Sequence, residues 1–69
     1  MIYETERRIR IAAQIANYGL HLGLTPYQID QAVRIGMGLL DEGKSGAKAY
    51  QAGRKVVDWY VRNEFRLLA

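Results

Sequence analysis

Apolar residues recur along this chain with a helical period in three successive segments, separated by two short turns. The longest segment is Ser45–Leu68. At 100° per residue, Ala49, Tyr50, Gly53, Val56, Val57, Tyr60, Val61 and Leu68 share one broad face, and Lys48, Gln51, Lys55, Asp58, Arg62 and Arg66 share the other. This predicts a long amphipathic helix with an apolar face to be covered by the upstream chain and a basic face turned to water. Upstream, Ile9, Ala12, Ala13, Ala16 and Leu20 form one stripe, and Ile11, Ile15, Tyr18 and Leu22 form a second beside it. Two adjacent stripes predict burial against two partners. The first helix is expected to start near Thr5, the nearest capping residue, and to stop at Gly23, with Leu24 folding back on its last turn.

The second helix has the clearest start. Leu24-Thr25-Pro26-Tyr27-Gln28-Ile29 offers an N-cap Thr, a Pro at the first helical position and a Gln three residues after the cap. Leu24 and Ile29 stand at the spacing of a hydrophobic staple. The core stripe is then Ile29, Ala32, Val33, Gly36, Met37 and Leu40, with Ile35 and Leu39 widening it. Gly43 is placed to end this helix, and Ser45 to cap the next. With no alternating pattern and no repeat, the reading is all-α: one domain over residues 1–69, a compact three-helix unit with helices near 5–22, 26–42 and 46–66. Short connections predict neighbours packed antiparallel or at a steep angle.

Composition changes this picture in one respect. The chain has 69 residues, near the lower limit for a single core, yet 49% of them are apolar. The surplus predicts a partner, most simply a second copy, with Gly36 or Gly53 allowing close approach at a homodimer seam. There is no Cys to form a disulfide or a thiolate site. No run approaches 18 apolar residues and the first ten residues are rich in charge, so neither a membrane span nor a secretory signal is expected, and a cytoplasmic protein is the default.

The net charge of +3 permits an anionic partner without demanding one. Arg8, Arg10, Arg34 and Arg62 each follow an acid by four positions (Glu4, Glu6, Asp30, Asp58), the spacing of a helical ion pair. Lys44, Lys48, Arg54 and Lys55 follow none. Lys44 and Lys48 flank a helix N-terminus, where free amides and the Ser45 hydroxyl suit a phosphate or carboxylate. The candidate nucleic-acid contacts are therefore Lys44, Ser45, Lys48, Arg54 and Lys55. Trp59 stands at the border between the apolar face and the Lys55–Arg62 side. It is placed either to pack at the core edge or to form, with Arg62 and Arg66, a partner-binding surface.

Two motif matches sharpen the reading. Gly38-x-x-x-x-Gly43-Lys44-Ser45 has the letters of a phosphate-binding loop, but Gly38-Leu39-Leu40 continues a helix, Asp41 and Glu42 would repel phosphate, and no sheet can be built around it. Gly43-Lys44-Ser45, Ala49 and Gly53 together resemble the small-residue and turn positions of the helix-turn-helix family. That resemblance implies a recognition helix over Val56–Arg62. It departs from the family at Arg54, where an apolar residue is usual. An unbroken helix with Gly53 as a close-packing residue is the preferred reading, because one Gly costs a helix only about 1 kcal/mol.

Catalytic chemistry has little to draw on. One His (His21) and one Ser are present, and the carboxylates stand mostly at ion-pair spacing from Arg, with none placed for acid–base work or metal-ligand spacing. The expectation is a non-enzymatic regulatory protein with no cofactor, no metal and no small-molecule substrate. Its partner is nucleic acid held through the start of the third helix, or an acidic protein surface. The alternative is an adaptor or inhibitor, of the kind phages and plasmids carry as accessories, docking through Trp59 and spare apolar surface.

Overall fold

In the computed structural model, described over the backbone of residues 2–68 and the side chains of residues 3–63, the chain forms three helices. They are α1 (Ile2–His21), α2 (Pro26–Asp41) and α3 (Gly46–Leu68). α1 starts a turn before Thr5. Nothing in Ile2-Tyr3-Glu4 interrupts a helix, and Glu4 in the first turn suits the helix dipole. α3 runs unbroken through Gly53, so the turn implied by the helix-turn-helix resemblance is absent. The side chains of Phe65, Arg66 and Leu68 lie outside the described residues.

The two turns share one construction. At the first, Gly23 takes φ +81°, its N–H donates to Leu20 O at 3.1 Å, and the Leu24 N–H donates to Gly19 O at 3.0 Å. At the second, Gly43 takes φ +84°, its N–H donates to Leu40 O, and the Lys44 N–H donates to Leu39 O, both at 3.0 Å. Each is a Schellman closure, in which a left-handed glycine lets two amides reach back to orphan carbonyls. A capping residue follows at once. Thr25 Oγ1 accepts from the Gln28 N–H at 3.2 Å, and Gln28 Oε1 accepts from the Thr25 N–H at 2.9 Å, completing a capping box. Ser45 Oγ accepts from the Lys48 N–H at 3.2 Å.

Ile15 is the centre of the core. It is fully buried, and it enters a notch made by two glycines on the other helices. A Cβ added at Gly53 would stand 2.5 Å from Ile15 Cδ1, and one at Gly36 would stand 2.6 Å from the same atom. Gly36 also meets the Ala49 carbonyl, 3.0 Å from that Cβ position, so α2 and α3 approach nearly backbone to backbone. Both glycines are thus consumed by the chain's own core and not by a seam with a second copy. Ile11, Leu24, Ala32, Ala49 and Val57 complete the buried cluster, with Ile29, Val33, Met37 and Val56 packed around it.

Cross-helix neighbours set the directions. Ile11 meets Gly46, Ile15 meets Gly53 and Gly19 meets Val57, so α1 and α3 run parallel. Ile29 meets Gly19 while Arg8 pairs with Asp41, so α2 runs against both. The result is an up-down-up bundle of 46 × 18 × 16 Å. Its long dimension exceeds the roughly 35 Å of the longest helix at ~1.5 Å per residue, so the helices are staggered. The first turns of α1 therefore reach past the start of α3.

Neither α1 stripe is buried whole: the second is buried at Ile11 and Ile15, with Tyr18 half-buried and Leu22 exposed. Ile11 and Ile15 face the core, whereas Ile9 and Leu20 are 63% and 61% exposed. Two neighbouring helices subtend less of the α1 surface than its apolar arc covers. Among the described residues no helix is long and apolar enough to cross a membrane.

Candidate anionic-partner site

The cations divide into those neutralised within the fold and those left to solvent. Arg34 Nε donates to Asp30 Oδ2 at 2.8 Å, as its spacing predicts. Arg8 passes over Glu4 and pairs across helices with Asp41. The Asp58 carboxylate accepts from the Tyr18 hydroxyl at 2.6 Å, tying α3 to α1, so the expected Asp58–Arg62 pair is replaced by a cross-helix bond.

All five predicted nucleic-acid contacts are exposed, and four of them are free of a cross-helix side-chain partner. Lys44, Ser45 and Lys48 are exposed at the start of α3, and Lys55 is exposed two turns further along. Ser45 already accepts from the Lys48 amide, which leaves its hydroxyl proton free to donate to an anion. Arg54 differs from its predicted role as an unpartnered cation. Its guanidinium lies 4.8 Å from the centroid of the Tyr18 ring, over its face. The group is held above its ordinary value, first by hydrogen bonding to Tyr18, with Asp58 adding to the effect. Asp58 follows Arg54 by four positions, a base-before-acid pair that a search for acids upstream of bases passes over.

The structure adds residues that sequence reasoning missed. Arg7 from α1 reaches the start of α3, where its guanidinium lies 3.7 Å from the position a Gly46 Cβ would take. It shares a hollow with Tyr3, Arg10, Gln14, Ala47 and Tyr50. Arg7 has Glu4 three positions before it, yet among the described residues it forms no ion pair. Arg10 was assigned to Glu6, but among the described residues the ion pairs are those of Arg8 and Arg34. Farther along the same α1–α3 groove a second hollow is lined by Gln14, Asn17, Tyr18, His21 and Tyr50. No carboxylate lines either hollow.

The predicted partner-binding residues lie elsewhere on α3. Trp59 is 54% exposed, which moves it from the core edge to the surface. Its ring meets Tyr60 edge-on at 5.2 Å, and with Lys55 and Val56 the two line a shallow apolar groove. Arg62 is exposed on the same helix, and the Arg66 side chain lies outside the described residues. Among the described residues no group of three His, Cys, Asp or Glu side chains could hold a metal ion.

No known family, curated protein or solved structure matches this chain.

Proposed function

We propose that this chain is a small non-enzymatic regulatory protein that binds nucleic acid through cations gathered at the start of α3. The observation that carries this reading is convergence. Arg7 and Arg10 of α1 share a carboxylate-free hollow with the first residues of α3, beside the exposed Lys44 and Lys48. Asp30 and Asp41 are engaged in ion pairs and Asp58 with Tyr18, while Glu4, Glu6 and Glu42 stand outside the lining of the hollow. Cations so placed suit the evenly spaced charges of a phosphate backbone, which position a protein without reading sequence. The protein works in the cytoplasm as a homodimer, the second copy covering apolar surface such as Ile9 and Leu20 that the bundle leaves open.

A second reading has its own observation. The exposed Trp59 beside Val56 and Tyr60 has the make-up of an interface anchor, which favours an adaptor or inhibitor docking on another protein. Binding to duplex DNA by two variants separates the readings. Neutralising Lys44, Lys48 and Lys55 together should remove most of the affinity, and Trp59→Ala should change it little. Feeble, non-specific association with duplex DNA at physiological salt would favour the protein-docking reading.

A further inference from the structure

We infer that the α1–α3 groove is a cradle for single-stranded nucleic acid, an assignment that rests on the nucleic-acid reading above and names the form of the ligand. The two hollows of this groove join through Gln14 and Tyr50, which line both. The lining residues run along α1 from Tyr3 to His21, about 27 Å at ~1.5 Å per residue, with Gly46, Ala47 and Tyr50 of α3 forming the facing wall. That length accommodates a short oligonucleotide, within the ~4–16 nucleotides that single-strand binding modules take.

The lining has the components such a ligand needs. Arg7 and Arg10 stand at one end for phosphate contacts. Tyr3 is 72% exposed and Tyr50 half-buried, two rings on which unpaired bases can stack. Between them Gln14, and further on Asn17, present amides that both donate and accept, as the edges of unpaired bases require. No carboxylate lines the groove, whose charged lining is Arg7 and Arg10, and the Asp58 carboxylate of α3 accepts from the Tyr18 hydroxyl. A duplex hides its base faces within its own stack and gains nothing from rings offered for stacking. An acidic peptide could use the arginines but not this arrangement of rings and amides.

The test is fluorescence anisotropy with labelled oligothymidylate and oligouridylate of about ten nucleotides, chosen within the ~4–16 range, against a duplex of equal length and a polyglutamate competitor. Both single strands should bind more tightly than the duplex, and any difference between them tells DNA from RNA. Tyr3→Ala, at an exposed position, should weaken single-strand binding by about tenfold, the scale of one lost base stack. Arg10→Gln should lower the log–log salt slope by about 0.7. Duplex binding as tight as single-strand binding, with Tyr3→Ala without effect, would overturn the groove assignment and leave the nucleic-acid reading standing. Displacement by polyglutamate at equal affinity would overturn it in favour of an acidic protein. Failure of every nucleic acid to bind at low salt would remove both.

Discussion

At the scale of single residues, Ile15 and the glycines around it decide how closely the helices approach. Adding a methyl group at Gly53 gains about 1 kcal/mol of helix propensity but forces a Cβ to within 2.9 Å of three Ile15 atoms. Overpacking of this kind costs about 1–3 kcal/mol, so Gly53→Ala should destabilise the fold on balance. Gly38 is the control: a Cβ there meets nothing within 4 Å, and Gly38→Ala should stabilise by up to about 1 kcal/mol. Thermal melts of the two variants should move in opposite directions, each kcal/mol shifting the midpoint by about 4–8 °C in a domain of this size. Two midpoints displaced the same way would mean that Gly53 is not a packing glycine. Thr25→Ala removes the hydroxyl that accepts from the Gln28 amide, and should cost about 0.5–2 kcal/mol in the same assay.

At the scale of elements, the bond from Tyr18 to Asp58 joins α1 to α3, while Arg8 and Asp41 join α1 to α2. The first is half-buried and involves a carboxylate, so Tyr18→Phe should cost about 1.5–3 kcal/mol by denaturant titration. The second is exposed on both sides, and Arg8→Ala should change stability by about 1 kcal/mol or less. Reversal of that order would show that the α1–α3 seam is held by apolar contact alone. What the sequence revealed about these elements follows from the range of the forces involved. The α2 start and both glycine stops were legible, because capping and left-handed closures act between residues a few positions apart. The core faces of α2 and α3 were legible for the same reason, through helical phase, except that Ile35, expected to widen the α2 stripe, is 51% exposed. Which α1 residues would be buried was not legible, since Ile9 and Leu20 differ from Ile11 and Ile15 only in where the other helices lie. The exposure of Trp59, the ring beneath Arg54 and the reach of Arg7 to Gly46 likewise depend on the stagger of the helices, which no local pattern encodes.

At the scale of the whole molecule, two features have no counterpart inside the bundle: exposed apolar side chains on α1, and exposed lysines at the start of α3 that form no ion pair. The first is the basis of the proposed dimer. Sedimentation at micromolar concentration should give a species of twice 7.9 kDa, and a clean 7.9 kDa monomer would contradict it. Ile9→Glu, at an exposed position, should shift the protein toward monomer while leaving its helical content intact. The second leads to the function. If the cations grip phosphates, binding to nucleic acid must release counterions, and the logarithm of the association constant must fall linearly with the logarithm of salt concentration. The most direct measurement is that slope for duplex DNA, taken on the unaltered protein and on the variant with Lys44, Lys48 and Lys55 neutralised. The account predicts a steep slope that flattens by about 0.9 for each lysine in contact with phosphate. An equal slope in the two proteins, or no salt-dependent association at low ionic strength, would contradict it.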